Sequence, residues 1–320
     1  MADMTPARSE QILTQRDFRF ASGVRIDLDI AYWTYGILNA ARDNAIFLCP
    51  GASGERQWPL EYCAPGRTFD VTRWFIVSMD LPGGGGSSRL RSDATFPAAY
   101  AVADLANAVL ALMDALELST LHAYCGASMA GVVGLELASR RPERVRSLAL
   151  WATGYRCGGY ALATIDVLRA ILTLDASPAG VRAGALALLP ALVDRQLLAA
   201  MQRSDYIGLG QRIADDWIAK WRGDELMARY AALAECDLGT AHGGVAALAD
   251  TIRCPAIFLS VSSDAIMPAS DVEHLANAMR HSQVRTFESP YGHLATALPA
   301  GTPEFAFFDS ETRAFLDALS

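Results

Sequence analysis

The segment Leu121-His-Ala-Tyr-Cys-Gly126-Ala-Ser-Met-Ala-Gly131 decides the fold of this 320-residue chain. Its first five residues form a short apolar run, which is typical of a strand buried on both faces. A Gly-x-Ser-x-Ala-Gly turn follows and leads directly into a sequence of helical character. A tight strand–turn–helix places Ser128 in a strained backbone conformation with its hydroxyl exposed at the edge of the sheet. The segment therefore predicts a serine nucleophile, although a close-packed turn without chemistry would use the same residues.

Apolar runs of similar length recur along the chain and predict the other strands of a sheet. They cover residues 45–49, 75–79, 148–151 and 256–261, with a further strand at 284–289. Ahead of them, residues 18–36 alternate between apolar and polar side chains around Gly23, which predicts two antiparallel strands. Continuous apolar strands are typical of a parallel sheet that is covered on both faces.

Helices are predicted between these strands, where apolar residues recur at helical spacing. They cover residues 97–117, 129–140, 269–280 and 303–319. Ser270-Asp271 is a suitable N-cap for the third of them. Strands that alternate with helices of this length form βαβ units, with helices on both faces of the sheet. The sequence therefore predicts an α/β fold with a mostly parallel, eight-stranded sheet.

The alternation breaks in the middle of the chain, where the sequence is helix-forming and contains no convincing strand. Five helices are predicted there, over residues 160–174, 184–193, 196–202, 212–221 and 225–236. A helical insertion between two strands is expected to cover the carboxyl ends of the sheet. The predicted division is a core of residues 1–154 and 251–320 with a helical cap of residues 155–250.

A serine hydroxyl is a weak nucleophile and needs a base that is oriented by an acid. Of the five histidines, His293 alone follows a predicted strand in a loop, where Gly292 allows a sharp turn back over the sheet. Asp264 ends a predicted strand that lies between serine and histidine in chain order, as this type of site requires. A helix cap or turn residue is the alternative for Asp264. The candidate triad is Ser128, Asp264 and His293.

Two backbone N–H groups are expected to stabilise an oxyanion beside Ser128. One belongs to Met129, at the start of the helix after the serine. The other is assigned to Ala52, to within one residue, because the loop after the third strand is rich in small residues. Gly51 of the same loop is a candidate for substrate binding.

The start of the predicted cap supplies further candidates for substrate binding. Tyr155 and Arg156 lie there, and Arg156 would either meet a substrate carboxylate or remain solvated. The aromatic residues Tyr160, Trp217 and Trp221 would either line an apolar pocket or form the core of the cap itself.

Other motifs predict no cofactor. A glycine cluster at residues 83–86 lacks the Gly-Lys-Ser/Thr ending of a phosphate-binding loop, so we interpret it as a flexible wall beside the active site. No His, Cys, Asp or Glu cluster has the spacing of metal ligands, and no metal is predicted.

Composition excludes several classes of protein. The 27 basic and 35 acidic side chains leave a net charge of −8, without the basic surface that a nucleic-acid binder needs. Lys220 is the only lysine, so a Schiff-base mechanism would have to use it. The longest run without a charged residue, 118–135, contains polar residues and is too short for a membrane span. Six cysteines without close pairing, and an N-terminus without an apolar stretch, predict reduced thiols, no signal peptide and a cytoplasmic location.

These motifs resemble those of the α/β-hydrolase fold superfamily, and more narrowly those of the homoserine O-acetyltransferase group and its esterase relatives. The matching stretches are residues 45–54, Trp58, 65–70, 81–88, 126–131, 142–145, Ser263-Asp264 with Pro268, and Gly292-His293. In that group the serine is acylated by acetyl-CoA and the acyl group passes to a hydroxyl acceptor. The resemblance does not imply homoserine as the acceptor, because Leu294 stands where that group carries an aspartate that helps to bind the acceptor's amine.

The expected function is that of a serine hydrolase that cleaves an ester or related acyl bond of a small, partly apolar substrate through an acyl-enzyme on Ser128. Three alternatives remain open: an acyl-CoA-dependent O-acyltransferase with an acceptor other than homoserine, hydrolysis of a carbon–carbon bond, and a non-catalytic binding protein. The expected partner is a small-molecule substrate rather than a nucleic acid or a membrane. An acyl-CoA and a homodimer formed through the cap are left open as further partners.

Overall fold

The apolar runs form one eight-stranded sheet in the computed structural model, which describes residues 8–319. The strands are β1 (Arg8–Arg19), β2 (Arg25–Tyr35), β3 (Ala45–Cys49), β4 (Phe75–Met79), β5 (Ala123–Ala127), β6 (Leu148–Trp151), β7 (Ala256–Val261) and β8 (Ser282–Phe287). Their order across the sheet is β1-β2-β4-β3-β5-β6-β7-β8. β2 pairs antiparallel with β1 and β4, and the six strands β3 to β8 pair in parallel. This architecture confirms the predicted α/β fold.

Helices connect the strands in the order that the sequence predicts. They are α1 (Val102–Ala115), α2 (Met129–Arg140), α3 (Gly159–Leu174), α4 (Pro178–Leu192), α5 (Arg195–Ala200), α6 (Arg203–Lys220), α7 (Gly223–Ala234), α8 (Leu238–Ala241), α9 (Val245–Thr251), α10 (Ala269–Ala278) and α11 (Pro303–Ala318), with short 3₁₀ helices at Leu60–Tyr62, Pro142–Arg144 and Gly292–Ala297. Within residues 8–319, no helix is both long and apolar enough to cross a membrane. The prediction about a signal peptide depends on the N-terminus, whose residues 1–7 lie outside the described part of the chain.

The sheet is covered on both faces, which explains why its central strands have no polar side. In β5, Tyr124 packs with α1 and α2 on one face. Its neighbours Ala123 and Cys125 pack on the other face with aromatic residues of α11, among them Phe308. Neighbouring side chains of a strand point to opposite faces, so a strand between two layers of helices has to be apolar throughout.

Strand β1 begins ten residues earlier than the sequence predicts. Most of its side chains are exposed at the edge of the sheet, so it carries little of the apolar alternation that marks a strand. A register shift between Gln15 and Phe18, with Asp17 at a φ of 50°, also interrupts its period of two. An exposed edge strand with a bulge gives no clear pattern in sequence.

The predicted N-cap of α10 is wrong. The helix begins at Ala269 with Pro268 in the N-cap position, so Ser270 and Asp271 lie inside its first turn. Proline has a φ that already suits the start of a helix, and the boundary moves ahead of the serine accordingly. The carboxylate of Asp271 instead receives hydrogen bonds from Arg156.

The chain between β6 and β7 contains helices α3 to α9 and no strand. Helix α4 begins six residues earlier than predicted, because Ser177 caps its first turn by accepting a hydrogen bond from the N–H of Ala179 at 3.2 Å. Helix α9, at the end of the predicted insertion, packs against α2 and α10 of the core. The chain therefore rejoins the helical layer of the core before β7 begins.

Candidate active site

Ser128 occupies the sharp turn between β5 and α2. Its φ of 54° and ψ of −125° are strained for a residue with a side chain, as expected at a nucleophile elbow. The turn is held on both sides: the N–H of Ser128 donates to the carbonyl of Trp151 at 2.9 Å, and the Thr153 hydroxyl donates to the carbonyl of Ser128 at 2.7 Å. Neighbouring structure therefore fixes the serine in a conformation that the chain alone would avoid.

Small residues around the elbow are required by close packing. A Cβ atom on Gly126 would lie 2.7 Å from the backbone of Ala130, and one on Gly131 would lie 2.4 Å from the side chain of Thr153. Real Cβ atoms do not approach other atoms so closely, because dense interiors leave no room for an added methyl group. The glycines of the motif thus allow α2 to begin directly against β5.

The three residues of the candidate triad lie together at the carboxyl ends of the strands. His293 Nε2 is 2.7 Å from Ser128 Oγ, and His293 Nδ1 is 2.7 Å from Asp264 Oδ2. All three side chains are largely shielded, with Ser128 8% and Asp264 4% exposed. Each residue follows a different strand, β5, β7 or β8, and parallel strands bring these ends to one edge of the sheet.

The carboxylate of Asp264 has a separate partner for each oxygen. Oδ1 accepts hydrogen bonds from the backbone N–H groups of Ile266 at 2.8 Å and Met267 at 3.0 Å. Oδ2 remains for His293 and favours the tautomer with a proton on Nδ1. In that tautomer Nε2 is free to accept the proton of the Ser128 hydroxyl.

Gly292 brings His293 back over the sheet. Its φ of 53° is in the left-handed region that glycine tolerates best. A Cβ atom there would lie 2.8 Å from the carbonyl oxygen of Leu192, at the end of α4. The glycine therefore provides both the turn and the close approach to the helices above the sheet.

The two backbone groups expected in the oxyanion hole are available for a ligand. The N–H groups of Met129 and Ala52 donate no hydrogen bond to any protein acceptor within residues 8–319. Both residues are buried, at 0% and 6% exposure. The assignment of these two N–H groups to an oxyanion hole stays a prediction.

A cavity of about 420 Å³ opens in front of Ser128 and His293. The core contributes the loop with Gly51, Ala52 and Trp58, together with Leu294. Helices α4, α6 and α7 supply a mainly apolar roof, formed by Leu188, Leu192, Leu209, Ile213, Trp217, Tyr230 and Leu233. Charged side chains are also part of the lining, namely Glu55, Arg212, Asp216 and Lys220.

The roof residues of α6 were missed by sequence reasoning, apart from Trp217. Leu209, Ile213 and Trp217 recur every four residues and therefore share one face of the helix. This spacing was available as a signal, but it does not distinguish a cavity wall from the core of a helical layer.

Two of the substrate-binding candidates lie elsewhere. Arg156 is outside the cavity lining, where its Nε and Nη2 groups donate to Asp271 at 3.1 and 3.3 Å. Tyr155 is 3% exposed and packs edge-on against His274, with ring centroids 6.2 Å apart. Both side chains have partners on α10 instead of a place in the cavity lining. Gly51 is part of the cavity lining, and its role in substrate binding stays a prediction.

The glycine cluster does not form a wall of the cavity, contrary to expectation. Its backbone folds onto Asp80, whose Oδ2 accepts the N–H of Gly86 at 2.7 Å and whose carbonyl accepts the Ser87 hydroxyl at 2.7 Å. Three aromatic residues, Tyr160, Trp217 and Trp221, were candidates for an apolar pocket wall. Of these, Trp221 packs on Gly84 of the glycine-rich loop, and Tyr160 is 54% exposed. Of that set, Trp217 alone lines the cavity.

Burial raises the pKa of two groups near the triad. It raises the pKa of the Cys157 thiol to about 12, and the nearby carboxylate of Asp264 adds to the shift. It also raises the pKa of Tyr230, against a smaller opposing effect of the Ser53 side chain. Within residues 8–319, no group of three or more His, Cys, Asp or Glu side chains could hold a metal ion.

Comparison with known proteins shows the family to which the chain belongs. The family described as "alpha/beta hydrolase fold" matches residues 44–297. The homoserine O-acetyltransferase of Geotalea daltonii is 32% identical over 184 residues, which is 50% of each chain. That of Caulobacter vibrioides is 28% identical over 338 residues, covering 87% of each chain. The first of these matches thus spans about half the length of the relative, and the second spans most of it.

Solved structures share the fold over nearly the whole chain. An acetylester hydrolase from Corynebacterium glutamicum superposes with a TM-score of 0.87 at 18% identity, covering 97% of this chain and 96% of its own. A homoserine O-acetyltransferase from Bacillus anthracis gives a TM-score of 0.86 at 15% identity, covering 97% and 98%. At these identities the likeness concerns the fold. With its sheet, its elbow and the family match over residues 44–297, this chain belongs to the α/β-hydrolase fold family.

Proposed function

We propose that the protein is a serine hydrolase that cleaves an ester or related acyl bond through an acyl-enzyme on Ser128. The observation that carries this proposal is the continuous hydrogen-bonded chain from Asp264 through His293 to Ser128, with 2.7 Å at each step. A nucleophile, a base and an orienting acid in this arrangement are the parts that acyl transfer to serine requires.

The proposed reaction uses each of these groups in turn. His293 takes the proton of the Ser128 hydroxyl as its oxygen attacks the carbonyl carbon, and the N–H groups of Met129 and Ala52 stabilise the negative oxygen that forms. His293 then gives the proton to the leaving alcohol, which leaves an ester on Ser128. Water, activated by the same histidine, releases the acid and restores the serine.

The cavity supports a small, partly apolar substrate. Its volume of about 420 Å³ is at the lower end of the usual range for ligand sites, and its roof is mainly aliphatic and aromatic. Leu294 adds an apolar side chain directly beside His293.

Acyl transfer from an acyl-CoA to a hydroxyl acceptor is the second candidate. Several relatives are named homoserine O-acetyltransferases, which favours this reaction. The two reactions share every step up to the acyl-enzyme and differ in whether water or another hydroxyl resolves it.

Labelling with a fluorophosphonate tests the nucleophile. We expect stoichiometric labelling of the wild-type protein and none of Ser128→Ala, because the reagent needs an activated serine. Ser270→Ala, which removes an exposed serine of α10, should label as the wild type does. A folded wild-type protein that does not react would favour a binding protein and contradict the proposal.

Substrate assays separate hydrolysis from transfer. We expect release of p-nitrophenol from p-nitrophenyl acetate in water without an acceptor. If simple esters turn over negligibly and CoA is released from acetyl-CoA only when an alcohol is added, the protein is an acyltransferase instead.

A further inference from the structure

The loop that carries Ala52 is held by few bonds of its own. Residues 51–54 form a turn closed by one hydrogen bond, from the N–H of Gly54 to the carbonyl of Gly51 at 3.1 Å. Ala52 and Ser53 are the two central residues of this turn. One closing bond leaves the turn free to tilt as a unit, so the direction of the Ala52 N–H depends on what else holds the loop.

A second anchor for this loop comes from the helices above the sheet. The indole N–H of Trp221, the residue at which α6 ends, donates to the carbonyl of Ser53 at 3.2 Å. The two residues are 168 positions apart in the chain. Trp221 is 3% exposed, so water does not compete freely for this bond. Tyr230 of α7 also interacts with the side chain of Ser53.

Trp221 in turn is fixed from below by the glycine-rich loop. A Cβ atom on Gly84 would lie 2.3 Å from Cη2 of the indole, so the ring lies directly on the backbone. On another side, the guanidinium of Arg229 lies 5.4 Å from the centre of the indole ring. Arg229 is 2% exposed and donates to the carbonyls of Leu81 and Pro82 at 2.9 and 2.8 Å. Trp221 thus packs against the backbone of Gly84 and lies beside the buried guanidinium of Arg229. These two contacts restrict the position of its indole ring.

We propose that Trp221 is a positioning residue for the oxyanion hole, because its indole N–H holds the Ser53 carbonyl and thereby aims the N–H of Ala52 at the developing oxyanion. The inference rests on the proposed function of Ser128. It assigns a role to the glycine cluster that lies outside the cavity: Gly84 provides the surface on which Trp221 rests. It also makes helix α6 part of the catalytic geometry, besides forming the roof of the cavity.

Trp221→Phe tests the role of the N–H group, since it keeps an aromatic ring beside Arg229. We expect kcat for p-nitrophenyl acetate to fall about 10- to 100-fold. This loss does not exceed the one caused by removing an oxyanion-hole donor itself. KM should change less than about twofold, because the ground-state carbonyl depends little on the hole. Rates are expressed per active site, titrated with fluorophosphonate, so that partial unfolding does not imitate the effect.

The inhibition constant of a trifluoromethyl ketone distinguishes a positioning role of Trp221 from a merely structural one. Its adduct with Ser128 places an oxyanion in the hole, so its inhibition constant should weaken by the same factor as kcat/KM falls. Gly84→Ala, which keeps the indole N–H but displaces the ring, should shift both quantities in the same direction. Trp74→Phe is the matched control: Trp74 is 6% exposed, lies outside the cavity lining and should leave both unchanged.

Two outcomes would overturn the inference. One is an unchanged kcat per active site in Trp221→Phe, and the other is a loss that appears in KM alone with unchanged ketone affinity. In either case a wild-type enzyme that reacts with fluorophosphonate leaves the proposed function standing. A wild-type protein that does not react with fluorophosphonate contradicts both the proposed function and the inference about Trp221.

Discussion

At the scale of single residues, Asp264 is constrained so tightly that its two oxygens cannot exchange roles. We expect Asp264→Asn to lower kcat about 10⁴-fold with little change in folding. The amide oxygen must take the place of Oδ1, because the N–H groups of Ile266 and Met267 need an acceptor, so the NH₂ group faces His293. His293 would then carry its proton on Nε2 and could not accept one from Ser128. Steady-state kinetics on a p-nitrophenyl ester measures the loss, and Asp271→Asn on α10 serves as the control with near-normal kcat. A loss smaller than tenfold would show that Asp264 does not set the tautomer.

At the scale of elements, the junction of β5 and α2 allows no added atom. Gly126→Ala should lower the free energy of unfolding by about 1–3 kcal/mol, because its Cβ would lie 2.7 Å from the backbone of Ala130. Gly159→Ala, at the first residue of α3, meets no atom within 4 Å and should change stability by less than about 0.5 kcal/mol. Urea unfolding of the two variants compares them directly. Equal stabilities would mean that the junction can relax.

The predicted bounds of some strands and helices agree with the observed bounds better than those of others. Strands β3 to β7 and helix α2 lie within a few residues of their predicted positions, because buried strands have continuous apolar runs and α2 starts at a recognisable turn. Strand β1 and helix α4 begin ten and six residues before their predicted starts. An exposed strand has no apolar pattern, and the start of α4 depends on the hydrogen bond that Ser177 accepts from the N–H of Ala179.

At the scale of the whole molecule, the six cysteines link stability to pH. Burial raises the pKa of Cys49, Cys157, Cys236 and Cys254 to about 12, and raises those of Cys63 and Cys125 further. In an unfolded chain a thiol titrates near pH 8.5, so above that pH the unfolded state binds fewer protons than the folded state. The stability of the fold should therefore be unaffected by the thiols below about pH 8 and should fall as pH rises from about 8.5 towards 12. Each thiol contributes a slope of up to about 1.4 kcal/mol per pH unit.

Urea unfolding between pH 7 and 10.5 in the presence of a reductant tests this linkage. The ten tyrosines also titrate near pH 10, so the thiol contribution is taken from the difference between two proteins that contain the same tyrosines. Cys254→Ala provides the matched comparison, since its slope above pH 9 should be shallower by about one thiol's contribution. Parallel slopes for the two proteins would contradict the assignment of the pH dependence to the thiols.

By itself the sequence determined the order of strands and helices, the elbow at Ser128, and Asp264 and His293 as the residues that could join it. These features are local: a buried strand, a tight turn and a glycine before a histidine each leave a pattern within about ten residues. Only the tertiary structure decided which side chains line the cavity, that Arg156 pairs with Asp271, and that Trp221 holds the loop of Ala52. Those contacts join residues more than a hundred positions apart, and the packing of α6, α7 and α10 against the core sets them. No local periodicity records such packing, because the same apolar spacing serves a cavity wall and a buried core equally well.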